Sequence, residues 1–143
     1  MTNWTEQKII EEGYKIENAK ITSVDISTRD YASAVLQMTI EGAGWGVVYG
    51  GKKLAHAGTC LKSEEIEASG KGFESILQIM WTLGVDSFKD LEGKYVRVVT
   101  EGWGSSIEII GDIMKDRWFD YRTFFDDETV MPNPRKEKIN EQI

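Results

Sequence analysis

The stretch between residues 95 and 122 concentrates side chains whose chemistry suits a nucleotide. An aromatic ring can stack on a base, a guanidinium can hold a phosphate through two hydrogen bonds, and hydroxyls can bond the sugar or base edge. The residues with these properties are Tyr95, Arg97, Trp103, Ser105, Ser106, Arg117, Trp118 and Arg122. Because no nucleophile, general base or metal-ligand set accompanies them, the stretch predicts binding without turnover. The competing interpretation is that its aromatic rings form core or subunit contacts.

A second candidate for anion binding lies at the start of a predicted helix, in the sequence Ser69-Gly70-Lys71-Gly72. Free backbone N–H groups and the helix dipole favour anions there, and Lys71 would add a positive charge. The spacing is not that of a Walker A loop, which excludes a nucleoside triphosphatase of that type. A flexible helix start is the alternative. The pair Gly42-x-Gly44 leads into a strand rather than a helix, which excludes a dinucleotide fingerprint.

Catalytic and metal sites find little support in the residue types. The chain has one cysteine and one histidine, whereas a structural zinc site needs about four such ligands. Cys60 and His56 lack a third residue that would orient them as a nucleophile and base, and a lone thiol fits a reducing compartment. The adjacent acids at 64–67 and 126–128 have the character of solvated surface. We therefore expect no catalytic residue, no metal and no cofactor.

Charge and hydropathy exclude two further classes. The chain carries 17 basic and 24 acidic residues, a net charge of −7, and lacks the clustered cations that duplex nucleic acids and anionic membranes require. No apolar run approaches the roughly 18 residues of a membrane span, and the first residues do not resemble a secretory signal. These features predict a protein of the cytoplasm.

The order of elements predicts an α+β fold, with an antiparallel sheet of about five strands and one main helix packed on it. The 143 residues suit one domain, which we place at 14–125, between an N-terminal arm (1–13) and a mobile tail (126–143). Strands are expected at 15–27, 34–40, 47–49, 95–101 and 107–113, with a loop at 51–62. Gly111, inside the last strand, predicts a bulge or a close backbone approach.

The main helix is expected between about Glu64 and Leu83. Apolar residues at spacings of three and four predict its buried stripe, and they are Phe73, Ile76, Leu77, Met80 and Leu83. Gly84 is expected to end the helix in a left-handed conformation. Asp86 then predicts the N-cap of a short helical turn that runs through Leu91.

Several segments between about Lys15 and Phe125 together carry a family resemblance. They are Lys15-Ile16-Glu17-Asn18-Ala19-Lys20-Ile21, Gly44-Trp45-Gly46-Val47-Val48-Tyr49-Gly50-Gly51, Ile79-Met80-x-x-Leu83-Gly84-Val85, Leu91-x-Gly93-Lys94-Tyr95-Val96-Arg97-Val98, Glu101-Gly102-Trp103-Gly104 and Ile113-Met114-Lys115-Asp116-Arg117-Trp118-Phe119. In this order they resemble a family of small phage proteins, the first-described Thoeris anti-defence proteins, which are sponges for cyclic ADP-ribose-type signals.

The resemblance implies a non-catalytic scavenger of the glycosylated cyclic ADP-ribose that host TIR-domain enzymes make. Members of the family assemble as dimers or larger rings, with the ligand near a subunit interface, and some also hold cyclic oligonucleotides. Carried onto this chain, Tyr95 would stack on the base and Arg117 and Arg122 would bind phosphate. Ser105 stands where an amide side chain is more typical, and Lys71 where arginine is. These two departures leave the exact ligand open.

Two other classes of function remain as alternatives. The acidic surface and the aromatic stretch at 117–125 are compatible with a phage inhibitor that acts by direct protein contact, of the anti-CRISPR or anti-restriction type. An enzyme, such as a nucleotide hydrolase, would require a set of reactive residues that the sequence does not display.

Overall fold

An antiparallel sheet forms the centre of the fold, with its strands in the order β4-β3-β2-β1-β5-β6-β7. The computed structural model describes residues 4–27, 33–56, 67–68, 70–101 and 108–126. The strands are β1 (Lys15–Ser27), β2 (Ser33–Gly42), β3 (Trp45–His56), β4 (Glu67–Ala68), β5 (Tyr95–Thr100), β6 (Ile109–Asp112) and β7 (Trp118–Asp120). The helices are α1 (Glu6–Glu11), α2 (Gly70–Leu83) and α3 (Tyr121–Asp126), with a 3₁₀ helix at Phe88–Leu91.

The predicted α+β class is confirmed, but the sheet is larger than the expected five strands. Within the described residues it has six strands of three or more residues, and the two-residue β4 at one edge. The unpredicted strands are the two-residue β4, within the stretch expected to be helix, and β7, which pairs with β6 through Gly111 and Trp118. Three residues are too few to show an alternating pattern. The loop predicted at 51–62 is wrong for residues 51–56, because β3 continues to His56. Residues 57–62 lie outside the described part of the chain.

The principal core lies between the sheet and α2. Leu36, Met38 and Ile40 of β2 are fully buried, as their alternation predicts, and Val96 and Val98 of β5 extend the same face. The opposite face has a smaller cluster, in which Ile9 of α1 packs with Val99 and Ile109. The structure therefore places the first helix against the sheet.

The C-terminal tail is expected at 126–143. Asp126 is the last residue of α3, and 127–143 lie outside the described residues.

The main helix ends as predicted and begins later, at Gly70. Gly84 has a φ of 70°, its N–H donates to Trp81 O, and the N–H of Val85 donates to Met80 O. These two bonds form a Schellman motif. The predicted Asp86 cap is wrong: Ser87 precedes the 3₁₀ helix, and its side chain makes no capping hydrogen bond.

No helix in the described part of the chain is long and apolar enough to cross a membrane.

The buried stripe of α2 differs from the predicted one. Ile76, Ile79 and Leu83 face the core, whereas Phe73 and Leu77 are 63% and 48% exposed. Gly72 explains the choice of face, because a Cβ there would lie only 2.6 Å from Leu54 Cα. The helix can therefore approach β3 only along the glycine side.

Gly111 provides the close approach that the sequence predicts. The neighbour is the Trp118 ring on the adjacent strand, which a Cβ at Gly111 would overlap. Gly42 and Trp45 repeat the arrangement across β2 and β3. In both strand pairs a tryptophan ring covers the bare backbone of its cross-strand glycine.

Candidate functional site

Arg97 is a structural clamp that fastens α1 and the β6–β7 turn to the sheet. Its Nε donates to Asp112 O at 2.7 Å and its Nη2 donates to Lys115 O at 2.9 Å. Nη1 lies 3.5 Å from Glu6 Oε2, and the guanidinium carbon lies 4.6 Å from the centroid of the Trp118 ring. The side chain is only 12% exposed. These contacts occupy every nitrogen of the guanidinium with partners from the protein itself.

Arg117 is arranged differently, beside an exposed aromatic ring at the end of α2. Its guanidinium carbon lies 5.1 Å from the centroid of the Trp81 ring, and Nη2 lies 3.9 Å from Asp112 Oδ1. Its Nε is buried and, among the described residues, has no hydrogen-bond partner. The Trp81 residue is 62% exposed. An exposed flat ring and a guanidinium that is 25% exposed therefore lie together at one place on the surface.

Asp112 holds the turn that carries Arg117. Its Oδ2 accepts hydrogen bonds from the backbone N–H groups of Met114 and Lys115 at 2.9 and 2.7 Å. Burial alone would raise the pKa of Asp112, but these two bonds and the charges of Arg117 and Lys94 outweigh it. The net result is a pKa below the ordinary value of 3.8.

The lowered pKa predicts an acid-dependent contribution to stability. A carboxyl group whose pKa falls on folding stabilises the protein above its unfolded-state pKa, and this contribution is lost as the pH falls through the folded-state pKa. At pH 7 we expect Asp112→Asn to lower the free energy of unfolding by about 1–2 kcal/mol. The difference from wild type should narrow below about pH 4, as measured by urea unfolding across pH. Asp86→Asn, at an exposed carboxylate, is the control; a constant difference across pH would contradict the assignment.

Tyr95 offers an exposed ring on the other face of the sheet. The residue is 60% exposed, pairs with Lys20 across β5 and β1, and has Lys20 Nζ 5.4 Å from its ring centroid. Because Val96 pairs with Asp112, Tyr95 and Arg117 lie at the same end of the β5–β6 pair. Their side chains leave from opposite faces, since Tyr95 alternates with Val96 while Asp112 shares the face of Val96.

The remaining predicted cations lie elsewhere. Lys71 donates from Nζ to Phe125 O at 3.1 Å and lies 5.7 Å from the Phe124 ring centroid, which joins α2 to α3. Arg122 is on α3, with its side chain 70% exposed and its Nε 3.7 Å from Asp126 Oδ2. One chain therefore does not bring Lys71, Arg117 and Arg122 together around one ligand.

Arg122 borders a cavity of about 410 Å³ at the opposite end of β5. Its lining combines two aromatic rings, three carboxylates, two threonines and two aliphatic residues with this arginine; the residues are Trp4, Tyr14, Val99, Thr100, Glu101, Glu108, Ile109, Asp120, Arg122 and Thr123. Trp103, Ser105 and Ser106 lie outside the described residues. The positions that flank their segment, Glu101 and Glu108, both line the cavity.

The most prominent surface feature that sequence reasoning missed is an apolar stripe on α2, formed by Phe73, Leu77 and Trp81. These residues recur every fourth position and are 63%, 48% and 62% exposed. The spacing is visible in the sequence, but it also fits a core stripe and therefore predicts Phe73 and Leu77 in the core. The usable signal was Gly72, whose missing side chain marks the face that approaches the sheet.

Comparison with protein-family models, curated proteins and solved structures returns no match for this chain. Within the described residues, no group of three or more His, Cys, Asp or Glu side chains is arranged to hold a metal ion. The candidate sites therefore rest on their own geometry, which consists of the Trp81–Arg117 pair, the exposed Tyr95 ring and the cavity beside Arg122.

Proposed function

We propose that this protein is a non-catalytic sponge for a cyclic nucleotide signal of the cyclic ADP-ribose type. In this proposal it is a phage protein that acts in the host cytoplasm, where it sequesters the signal and blocks anti-phage defence. The observation that carries the proposal is the Trp81–Arg117 pair, because it joins a surface for a base to a donor for a phosphate. The segment resemblance supplies the ligand class.

The pair offers such a ligand two kinds of contact. The base would stack on the Trp81 ring, a contact worth roughly 1–3 kcal/mol. Arg117, whose side chain is 25% exposed, would direct its terminal nitrogens to a phosphate, where charge-assisted hydrogen bonds are strong. Asp112 and the Schellman turn at Gly84 keep the guanidinium and the ring in place.

The exposed stripe of α2 supports the further proposal that two copies meet there. Large side chains carry about 150–250 Å² each, so the exposed fractions correspond to roughly 300–400 Å² of apolar surface. A stable dimer buries about 800 Å² per partner around an apolar centre and a polar rim. The stripe is large enough to form that centre. A ligand at Trp81 would then lie at the edge of the subunit interface.

Sequestration requires no reaction, only sufficient affinity and abundance. A ligand is depleted when the concentration of sites exceeds that of the ligand and the Kd is well below both. A nanomolar Kd corresponds to about −12 kcal/mol. One stacked base and several charge-assisted bonds in a site closed by a second copy can approach that value.

The experiment is calorimetry with cyclic ADP-ribose and its glycosylated forms, followed by heat release and chromatography of the bound molecule. We expect saturable binding, recovery of an unaltered ligand and at least a roughly tenfold loss of affinity in Arg117→Ala. Lys89→Ala removes one exposed positive charge elsewhere and should bind as the wild type does. An altered ligand would exclude a sponge, and no binding of any cyclic nucleotide would overturn the proposal.

A second candidate function is an inhibitor that acts through direct protein contact. The same α2 stripe favours it, because an exposed apolar patch of this size often marks a protein interface. A stoichiometric host protein retained by the wild type and lost in Leu77→Glu, in the absence of nucleotide binding, would support it. A dimer that dissociates in Leu77→Glu would support the sponge assembly.

A further inference from the structure

The cavity beside Arg122 is unsuited to a phosphate. Among the described residues that line it, three carry carboxylates, Glu101, Glu108 and Asp120, and one carries a cation, Arg122. That arginine also lies 3.7 Å from Asp126. An anionic ligand would meet like charges in this cavity, which is costly. The field inside the cavity therefore favours a cation.

The same negative field reaches the protein beneath the cavity. Tyr49 is fully buried and donates from its hydroxyl to Glu108 O at 3.2 Å. Burial is the main cause that raises the pKa of Tyr49, and the charges of Tyr121, Asp120 and Glu108 raise it further. Asp120 and Glu108, which line the cavity, therefore both raise the pKa of the neighbouring Tyr49.

The aromatic part of the cavity can also hold a cation and its hydrocarbon chain. Trp4 and Tyr14 meet edge to face, with ring centroids 6.2 Å apart and planes at 74°. Such a corner presents aromatic surface to an ammonium group, which cation–π attraction favours. Lys8 already places its Nζ 5.5 Å from the Trp4 ring centroid, so this ring has a cation beside it within the protein itself.

Three hydrogen bonds orient the Asp120 carboxylate, which can accept a further one. Its Oδ2 accepts from Trp4 Nε1 at 3.1 Å and from the Thr123 hydroxyl at 2.8 Å, and its Oδ1 accepts from the Thr123 N–H at 3.0 Å. A carboxylate has about four lone-pair sites, so these bonds fix the group and leave acceptor capacity on Oδ1. The aromatic corner and the carboxylate are therefore positioned as one unit.

The distribution of the carboxylates distinguishes an extended cation from a metal ion. Although all three line the cavity, they are not grouped closely enough to form a metal site. A ligand with several ammonium groups separated by methylene chains matches dispersed carboxylates. The volume of about 410 Å³ lies within the usual range of small-molecule sites.

We propose that this cavity binds a linear polyamine. Its ammonium groups would be held by Glu101, Glu108 and Asp120, and its methylene chain would pack on Trp4 and Tyr14. This site does not depend on the nucleotide proposal, because Arg117 and Trp81 lie at the other end of β5.

The test is calorimetry of the full chain with spermidine, putrescine and magnesium chloride at matched ionic strength. We expect saturable binding of one spermidine per chain, tighter than putrescine. The double variant Glu101→Gln/Glu108→Gln should weaken spermidine binding at least roughly tenfold, since hydrogen bonds to charged groups are strong. Asp86→Asn/Glu92→Gln removes two exposed carboxylates elsewhere and should bind spermidine as the wild type does.

Tyr14→Leu separates a built site from general attraction to an acidic protein. It leaves every charge in place and should still weaken spermidine binding several-fold through loss of the aromatic surface. Equal losses in the control and cavity double variants would overturn the proposal. So would a spermidine affinity no greater than that of magnesium. Arg117→Ala should keep its spermidine affinity, which makes the outcome independent of nucleotide binding.

Discussion

Phe119→Ala is expected to lower the free energy of unfolding by about 3–5 kcal/mol, the usual cost of removing a buried aromatic ring. Phe119 is 1% exposed, at the centre of β7. Its ring centroid lies 5.4 Å from that of Phe124 and 6.1 Å from that of Tyr121. The substitution therefore leaves a cavity where the sheet and α3 meet, and neither element can close it without moving the other.

The measurement is urea unfolding of dilute protein, supported by a fall in Tm of roughly 10–15 °C. Met114→Ala is the control, because that side chain is 85% exposed and lies outside the α2 stripe; we expect it to cost less than about 1 kcal/mol. Similar losses in both variants would contradict the placement of Phe119 in the core.

Arg97→Ala is expected to lower the free energy of unfolding by about 2–4 kcal/mol, although the sequence alone predicts a ligand-binding role for Arg97. The variant removes the donors to Asp112 O and Lys115 O, and each hydrogen bond from a charged group contributes about 1.5–3 kcal/mol. It also removes the cation over Trp118 and the link to Glu6. Hydrogen exchange should therefore become faster in α1 and in the 113–116 turn.

Arg122→Ala is the comparison for this prediction. Its guanidinium pairs with Asp126 four residues along an exposed helix, and such pairs contribute about 0.3–0.5 kcal/mol. A stability loss in Arg97→Ala as small as that in Arg122→Ala would exclude the clamp. Intact stability together with lost nucleotide binding in Arg97→Ala would instead restore the ligand role.

The sheet could be predicted from the sequence because its signals are local. The strand at 15–27 and the alternation of Leu36, Met38 and Ile40 follow from a period of two, which depends only on neighbouring residues. Gly84 was predictable for the same reason, since its positive φ at a helix end is a local backbone requirement. Gly111 also predicted a close contact, although only the strand pairing shows that the partner is Trp118.

The placement of the candidate site residues was not predictable in the same way. Arg97, Arg117 and Arg122 have the same chemistry in the sequence, yet one clamps α1 and a turn to the sheet, one lies beside an exposed ring and one borders an acidic cavity. Which nitrogen finds a partner depends on residues that are distant in the chain, such as Glu6 for Arg97 and Trp81 for Arg117.

By itself, the sequence determined the α+β class, most of the strands and the end of the main helix, because short-range periodicity and backbone conformation set these features. The tertiary structure alone decided which face of α2 is buried, because Phe73, Leu77 and Trp81 have the same spacing as a core stripe and only the approach of Gly72 to Leu54 separates them from it. It also decided that Trp4, Tyr14 and Asp120 meet in one cavity. Such meetings depend on strand order and helix docking, which no local pattern encodes.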